Sequence, residues 1–324
     1  MTIAEAATLL LSQDLFTILC HRSPDGDTLG SAYALHYALQ QLGKQSAIHC
    51  ADPVPPDMVP FLGDGTFFAG NQLPEGHQLL GDNRFCVAVD VADSQLLGTL
   101  SQRYQNRVGL VIDHHPSNLQ YGKATCLLPT AAATAEVMTA LIEAMGVTPD
   151  RRMASCLYLG LATDTGCFRY SNTTAATLRA AARVLELGAD NDEINRVMFE
   201  TKTPGRVALE TAVMQQLEYF CDQRCAIISV PFALLEKYHI SDSELDGLSA
   251  LPRQIAGVEI GITIREQANH LCRVSVRTER RVDAAALCAT FGGGGHLRAG
   301  GCTVQGDIPT AKKLLLTQAE KLLC

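Results

Sequence analysis

Four short runs, each apolar almost throughout, limit what this chain can fold into: LFTILC (15–20), SAIHC (46–50), FCVAVD (85–90) and VGLVID, which ends at Asp113. Each is too short to be a helix, and uninterrupted apolar character is the mark of a strand buried on both faces. Between and after them lie stretches with helical spacing. Thr28 to Leu42 places Leu35, Leu39 and Leu42 on one face and stops at Gly43; further helices are expected at about 130–145, 150–162 and 173–187. Strand and helix in alternation predict an α/β domain with a parallel sheet. Ligands of such sheets bind beyond the carboxyl ends of the strands. His21, Asp90 and Asp113 fall at those ends.

The chain has 324 residues, enough for two domains. The polar stretch 188–206, with Pro204-Gly205, reads as a helix plus linker. The expected organisation is a catalytic, metal-binding domain over 1–188, a linker or hinge over 189–205 and a smaller α/β substrate-binding domain over 206–324, with a cleft between the two domains. In the second part, CAIISV, VEIGITIRE and CRVSVRT are strand candidates, and the alternation of the last two predicts a sheet with one polar face. Helices are expected at about 206–219, 283–290 and 310–323.

Charge sharpens this division. The net charge is −8, which argues against duplex DNA as a partner. Residues 205–324 hold 13 Lys+Arg and 13 Asp+Glu, leaving 13 and 21 in residues 1–204. The acidic part suits cations, and the late arginines suit an anionic ligand. No apolar run approaches a membrane span. The start, MTIAEAATLLLSQDLF, has neither a basic n-region nor a cleavage site, so a cytoplasmic enzyme is expected. Twelve cysteines scattered singly agree with reduced, buried thiols rather than a disulfide framework.

The polar residues at the strand ends are chemically coherent. His21, Asp25 and Asp27 leave the first strand on a loop that Pro24 and Gly26 shape. Asp90, His114 and Asp164 add two carboxylates and an imidazole. Four carboxylates and two imidazoles exceed one zinc site and suit two octahedral divalent ions, with mixed O/N donors favouring Mn²⁺ over Mg²⁺. Two such ions would activate a water and clamp phosphate oxygens. Asp90, at the end of a central strand, is the expected shared ligand. If His114 faces the metals, strand alternation turns His115 away, to donate to a phosphate or to orient Asp113 and the water. Asp113 is expected to support rather than ligate. Each residue also has a plainer reading: Asp27 as a helix N-cap, Asp164 in an Asx turn, Asp93 as a cap.

The segments HRSPDGD (21–27), VAVDVAD, VIDHHPSN, LATDTGCF and FGGGGH (291–296) together resemble the motifs of the DHH phosphoesterases with a DHH-associated C-terminal domain. Within that family the likeness is to the nanoRNases, bifunctional oligoribonucleases and 3′-phosphoadenosine 5′-phosphate phosphatases. The resemblance implies that His21, Asp25 and Asp90 hold one Mn²⁺, that Asp27, Asp90, His114 and Asp164 hold the other, and that His115 contacts the scissile phosphate. It also implies a homodimer.

On the substrate side, the backbone of Gly293, Gly294 and Gly295 could cradle an anion, with His296, Arg298, Arg277 and Arg169 as supporting groups. The expected activity is hydrolysis of very short single-stranded RNA to nucleoside 5′-monophosphates, and of 3′-phosphoadenosine 5′-phosphate to AMP. A phosphodiesterase for cyclic or linear dinucleotides (pApA, pGpG) is the enzymatic alternative, and a non-catalytic nucleotide-binding regulator is the alternative of another class.

Overall fold

The computed structural model describes residues 1–71, 83–245, 247–279 and 281–323. Two compact units divide at Thr201/Lys202, inside the stretch 189–205 expected as linker.

The first unit opens with α1 (Ile3–Leu11), β1 (Leu15–Leu19), α2 (Gly26–Gln41) and β2 (Gln45–Cys50). It continues through α3 (Val59–Leu62), β3 (Phe67–Ala69), β4 (Phe85–Val89), α4 (Ser101–Tyr104), β5 (Val108–Asp113) and β6 (Thr125–Leu127). The helices α5 (Thr134–Ala144), α6 (Arg151–Asp164), α7 (Ala175–Glu186) and α8 (Asn191–Asn195) close it. Among the described residues its six strands are all parallel, in the order β3-β2-β1-β4-β5-β6. Every residue of β5 is buried, as its unbroken apolar run requires.

Between β2 and β4 the chain forms the short elements α3 and β3; residues 72–82 lie outside the described ones. Residues 191–200 are helical, and Ile194 is buried in the first unit's core, so most of the expected linker packs as part of this unit.

Strand order decides where a site can form. The chain runs outward from β1 to β3, then returns to start again at β4 beside β1. The crevice at this reversal is where open α/β sheets bind ligands. Register sharpens the point. Leu19 pairs with Ala88, so His21 and Asp90 each stand two residues beyond paired positions. Val89 pairs with Ile112, which sets Asp90 beside Asp113.

Helix α2 is buried from Gly26 to Leu39, because it lies between the sheet and α5 and α6. It can approach α6 because both helices carry glycine at the crossing. A Cβ on Gly30 would stand 2.2 Å from the Cys156 carbonyl oxygen, and one on Gly160 would stand 2.8 Å from Asp27 Oδ1.

The second unit contains α9 (Pro204–Gln215), β7 (Glu218–Phe220), β8 (Cys225–Val230), α10 (Phe232–Tyr238), β9 (Ile260–Gln267) and β10 (Leu271–Thr278). It ends with α11 (Ala284–Ala289), β11 (Gly294–His296), β12 (Ala299–Gln305) and α12 (Ile308–Leu323). The sheet order is β11-β12-β10-β9-β8-β7, antiparallel except for β8 with β9. Along β10, Cys272, Val274 and Val276 join the core with α11 and α12, while Arg273, Ser275 and Arg277 take the other face. The expected helix over 206–219 stops at Gln215, and its end becomes β7. Among the described residues no helix is long and apolar enough to cross a membrane.

Candidate metal centre

At the carboxyl ends of β1, β4 and β5 the acidic and imidazole side chains converge. Asp90 is central. It follows β4 in the left-handed region (φ 61), which Asp tolerates better than most residues. Its N–H donates to the Ile112 carbonyl at 2.9 Å. Only 3 % of Asp90 is exposed, and its two oxygens are divided. Oδ2 lies 3.6 Å from His21 Nε2, and Oδ1 lies 3.7 Å from His114 Nε2.

Asp25 and Asp27 come from the loop that enters α2. Asp25 caps that helix, accepting from the N–H groups of Asp27 and Thr28 at 3.0 and 3.1 Å, and stands 3.5 Å from His21 Nε2. Asp27 is fully buried and does not cap its own helix. It accepts from Thr134 and Ala135 at the start of α5 instead. Asp164, at the end of α6, places Oδ2 3.3 Å from His114 Nε2. Three sets of donor atoms therefore each lie within 4.8 Å of one another: His21, Asp25 and Asp90; Asp27, His114 and Asp164; and Asp90, Asp113, His114 and His115.

The two imidazoles share an orientation. His21 Nδ1 is 2.8 Å from the Arg22 carbonyl, and His114 Nδ1 is 3.1 Å from that of Ala131. Carbonyls only accept, so each Nδ1 carries a proton and Nε2 is turned to the carboxylates. His114 Nε2 is buried without a hydrogen-bond partner. A buried bare nitrogen facing three carboxylates is costly unless a cation joins them.

The acids show the same need for positive charge. Burial first, then the charges of Asp90 and Asp25, raise Asp164 to about 8. Burial, Asp90 and Asp164 push Asp27 well above the usual carboxylate range. Burial would lower His21, but the neighbouring carboxylates of Asp25 and Asp90 hold it raised to about 11. Carboxylate oxygens and imidazole nitrogens in these numbers fit hard divalent cations.

The chain turns immediately after Asp113, so strand alternation does not separate the two histidines. Asp113 Oδ1 accepts the N–H groups of His114 and His115 and also His115 Nδ1. Both rings lie beside Asp90, 4.4 Å apart between centroids, and His115 Nδ1 is 3.4 Å from Asp90 Oδ1. Asp93 accepts from Gln95 N–H at 3.0 Å, as a cap does.

Sequence reasoning passed over Thr134, whose hydroxyl donates to Asp90 Oδ1, and Asn118, which donates to Asp113 Oδ2 at 2.5 Å. A signal was present for the first: α5 starts after Ala133, a residue that cannot cap it. For Asn118 the only signal was an amide five positions beyond Asp113.

The remaining candidates are dispersed. Arg169 is exposed on the loop after α6, its Nε donating to the Gly166 carbonyl. In the second unit the glycine run enters a hairpin: Gly294 pairs with Gly301 and Gly295 with Gly300. Arg298 Nη1 donates to the carbonyls of Glu279 and Val282. The backbone of His296 lies in β11; its side chain lies outside the described ones. Arg277 and Arg273 line a groove of about 580 Å³ with Phe291, Gly292, Gly293 and Gly300.

Residues 15–161 match the DHH family, N-terminal domain, and residues 226–323 match the DHHA1 domain. The chain is 30% identical over 309 residues to the bifunctional oligoribonuclease and PAP phosphatase NrnA of Thermus thermophilus, covering 92% of this chain and 87% of that one. It is 26% identical over 294 residues to the protein of the same name from Bacillus subtilis, covering 89% of each. An exopolyphosphatase-related protein from Bacteroides fragilis has a similar structure, with a TM-score of 0.89 and 25% identity over 98% of this chain and 96% of that one.

Proposed function

The chain belongs to the DHH family, and from that membership we propose that it is a phosphoester hydrolase that uses two divalent cations, Mn²⁺ by preference, to cut very short oligoribonucleotides to nucleoside 5′-monophosphates and to dephosphorylate 3′-phosphoadenosine 5′-phosphate. The observation that carries the reading is the bare, buried Nε2 of His114 among three carboxylates. The relatives named for both activities, matched along most of their length, support the substrate class.

In this reading His21, Asp25 and Asp90 hold one cation, and Asp27, Asp90, His114 and Asp164 hold the other. When bound, the pair supplies an activated water and neutralises charge on the phosphate. Asp90 is suited to both because its two oxygens face different imidazoles. Burial would lower His115, but in the cation-free protein its bond to Asp113 and the charge of Asp90 hold it raised to about 9; when protonated it can hold a phosphate oxygen. Asp113 orients that ring. The groove lined by Arg273 and Arg277 receives the terminal nucleotide through its phosphate. Arg169 is a further phosphate contact. The buried thiols suit a reducing cytoplasm.

The test is hydrolysis of a 5′-labelled dinucleotide with Mn²⁺ by wild type, Asp90→Ala and His114→Ala. Loss is expected to exceed the roughly 10–100-fold typical of outer-shell changes; wild-type rates in both variants would sink the metal assignment. A panel of linear dinucleotides, longer oligomers, cyclic dinucleotides and 3′-phosphoadenosine 5′-phosphate, ranked by kcat/KM, tests the substrate.

A further inference from the structure

Helix α5 begins without a cap of its own. Ala133 occupies the N-cap position and offers no side-chain acceptor, where Ser, Thr, Asp or Asn is favoured. The first helical N–H groups are satisfied all the same. Thr134 N–H donates to Asp27 Oδ2 at 2.6 Å, and Ala135 N–H donates to Asp27 Oδ1 at 2.8 Å. Thr134 has a second donor, its hydroxyl, which reaches Asp90 Oδ1 at 2.9 Å. One residue thus binds two carboxylates that are far apart in sequence, one through its main chain and one through its side chain.

The hydroxyl bond has a specific consequence. The last torsion of an aspartate is soft and roughly two-fold, so the backbone does not decide which oxygen of Asp90 faces His21 and which faces His114. The imidazole nitrogens stand 3.4–3.7 Å from those oxygens, too far to hold the carboxylate in one orientation. The Thr134 hydroxyl is close enough to do so. Thr134, Asp27 and Asp90 are all buried, with 0%, 0% and 3% exposed, so water is poorly placed to substitute for a lost donor.

We infer that Thr134 is a positioning residue that sets the orientation of Asp90 relative to Asp27, and through it the affinity of the two-cation site. The inference rests on the reading of this cluster as a site for two cations.

The experiment titrates Mn²⁺ into the metal-free full-length protein by calorimetry, with free Mn²⁺ followed by electron paramagnetic resonance. It compares wild type, Thr134→Val, which keeps the shape without the donor, and Thr134→Ser, which keeps the donor. Wild type should bind two equivalents. Thr134→Val should weaken at least one site by about 10–100-fold and lower kcat with KM little changed, whereas Thr134→Ser should stay near wild type in both. Circular dichroism and thermal unfolding of the metal-free proteins verify folding; if Thr134→Val does not fold, Thr134→Ala replaces it. Wild-type affinities in a folded donor-less variant would overturn the role of Thr134. So would a Thr134→Ser protein as weak as Thr134→Val. A wild-type protein that binds no divalent cation overturns the two-cation reading instead.

Discussion

His115 donates its Nδ1 proton to Asp113 Oδ1 at 2.8 Å, and that one oxygen also receives the main-chain N–H groups of His114 and His115. The buried carboxylate locks both histidines into one turn, and Asn118 holds its other oxygen. Burial would raise Asp113, but the bond from His115 keeps its carboxyl below the usual range. It therefore remains an acceptor throughout the neutral range.

Asn118→Ala removes the second anchor of Asp113 without touching a metal ligand. The expected result is a fall in kcat of about 10-fold or more, the scale of lost outer-shell support, with Mn²⁺ stoichiometry unchanged. Steady-state kinetics on a dinucleotide, beside a Mn²⁺ titration, check it. An unchanged kcat would show that Asp113 needs no help.

Asp27 and Asp164 should behave oppositely in the metal-free protein. Asp27→Ala strands the Thr134 and Ala135 N–H groups, and each buried unsatisfied donor costs about 1–3 kcal/mol. Asp164 is raised from 3.8 to about 8, so the folded state holds a proton that the unfolded chain has released. Its contribution is whole below about 3.8 and is lost as pH rises through about 8. Asp164→Asn abolishes that slope, so the variant should gain on wild type steadily across this window. Urea unfolding in chelator at several pH values measures both effects.

Cation binding should release protons. Asp164 at about 8 and His21 at about 11 both hold protons at neutral pH, and a ligand atom must give its proton up. Mn²⁺ affinity should therefore rise with pH between 6 and about 8. Calorimetry in two buffers of different ionisation enthalpy reads the proton count directly; identical heats in the two would contradict the assignment.

Neighbouring glycines in the second unit separate packing from binding. A Cβ on Gly293 would stand 2.2 Å from the Gly301 carbonyl oxygen, while one on Gly294 meets nothing within 4 Å. Gly293→Ala should destabilise by about 1–3 kcal/mol through overpacking. Gly294→Ala should fold like wild type, so a raised KM in that variant would report contact with substrate. Thermal unfolding together with KM for a dinucleotide distinguishes the two.

Arg273→Ala and Arg277→Ala should each raise KM about 10-fold, near 1.4 kcal/mol, and leave kcat largely intact if the groove they line grips the terminal phosphate. An unchanged KM in both variants would move the phosphate contact elsewhere. Michaelis–Menten analysis at two ionic strengths checks this, since a charge contact should weaken with salt.

Much of the first unit was legible because its signals are local. Apolar runs such as FCVAVD and VGLVID, too short for helices, read as buried strands, and an acid or imidazole at the end of a parallel strand stands where such sheets bind ligands. His21, Asp90 and His114 could therefore be grouped without coordinates. The turn after Asp113 was not legible, because alternation assumes an extended chain and three bonds to one carboxylate oxygen end it there. The glycine run announces close backbone approach, but its hairpin with Gly300 and Gly301 depends on a strand partner that composition does not announce.

By itself, then, the sequence determined which groups could gather and that a cation would suit them, since residue type and strand-end position carry that information. Only the tertiary structure decided what holds each group in place. The cap of α5 is Asp27, more than a hundred residues away, and the residue that orients Asp90 is a threonine in an alanine-rich stretch. Those bonds are set by how closely α2, α5 and α6 pack at Gly30 and Gly160. No local pattern encodes that distance.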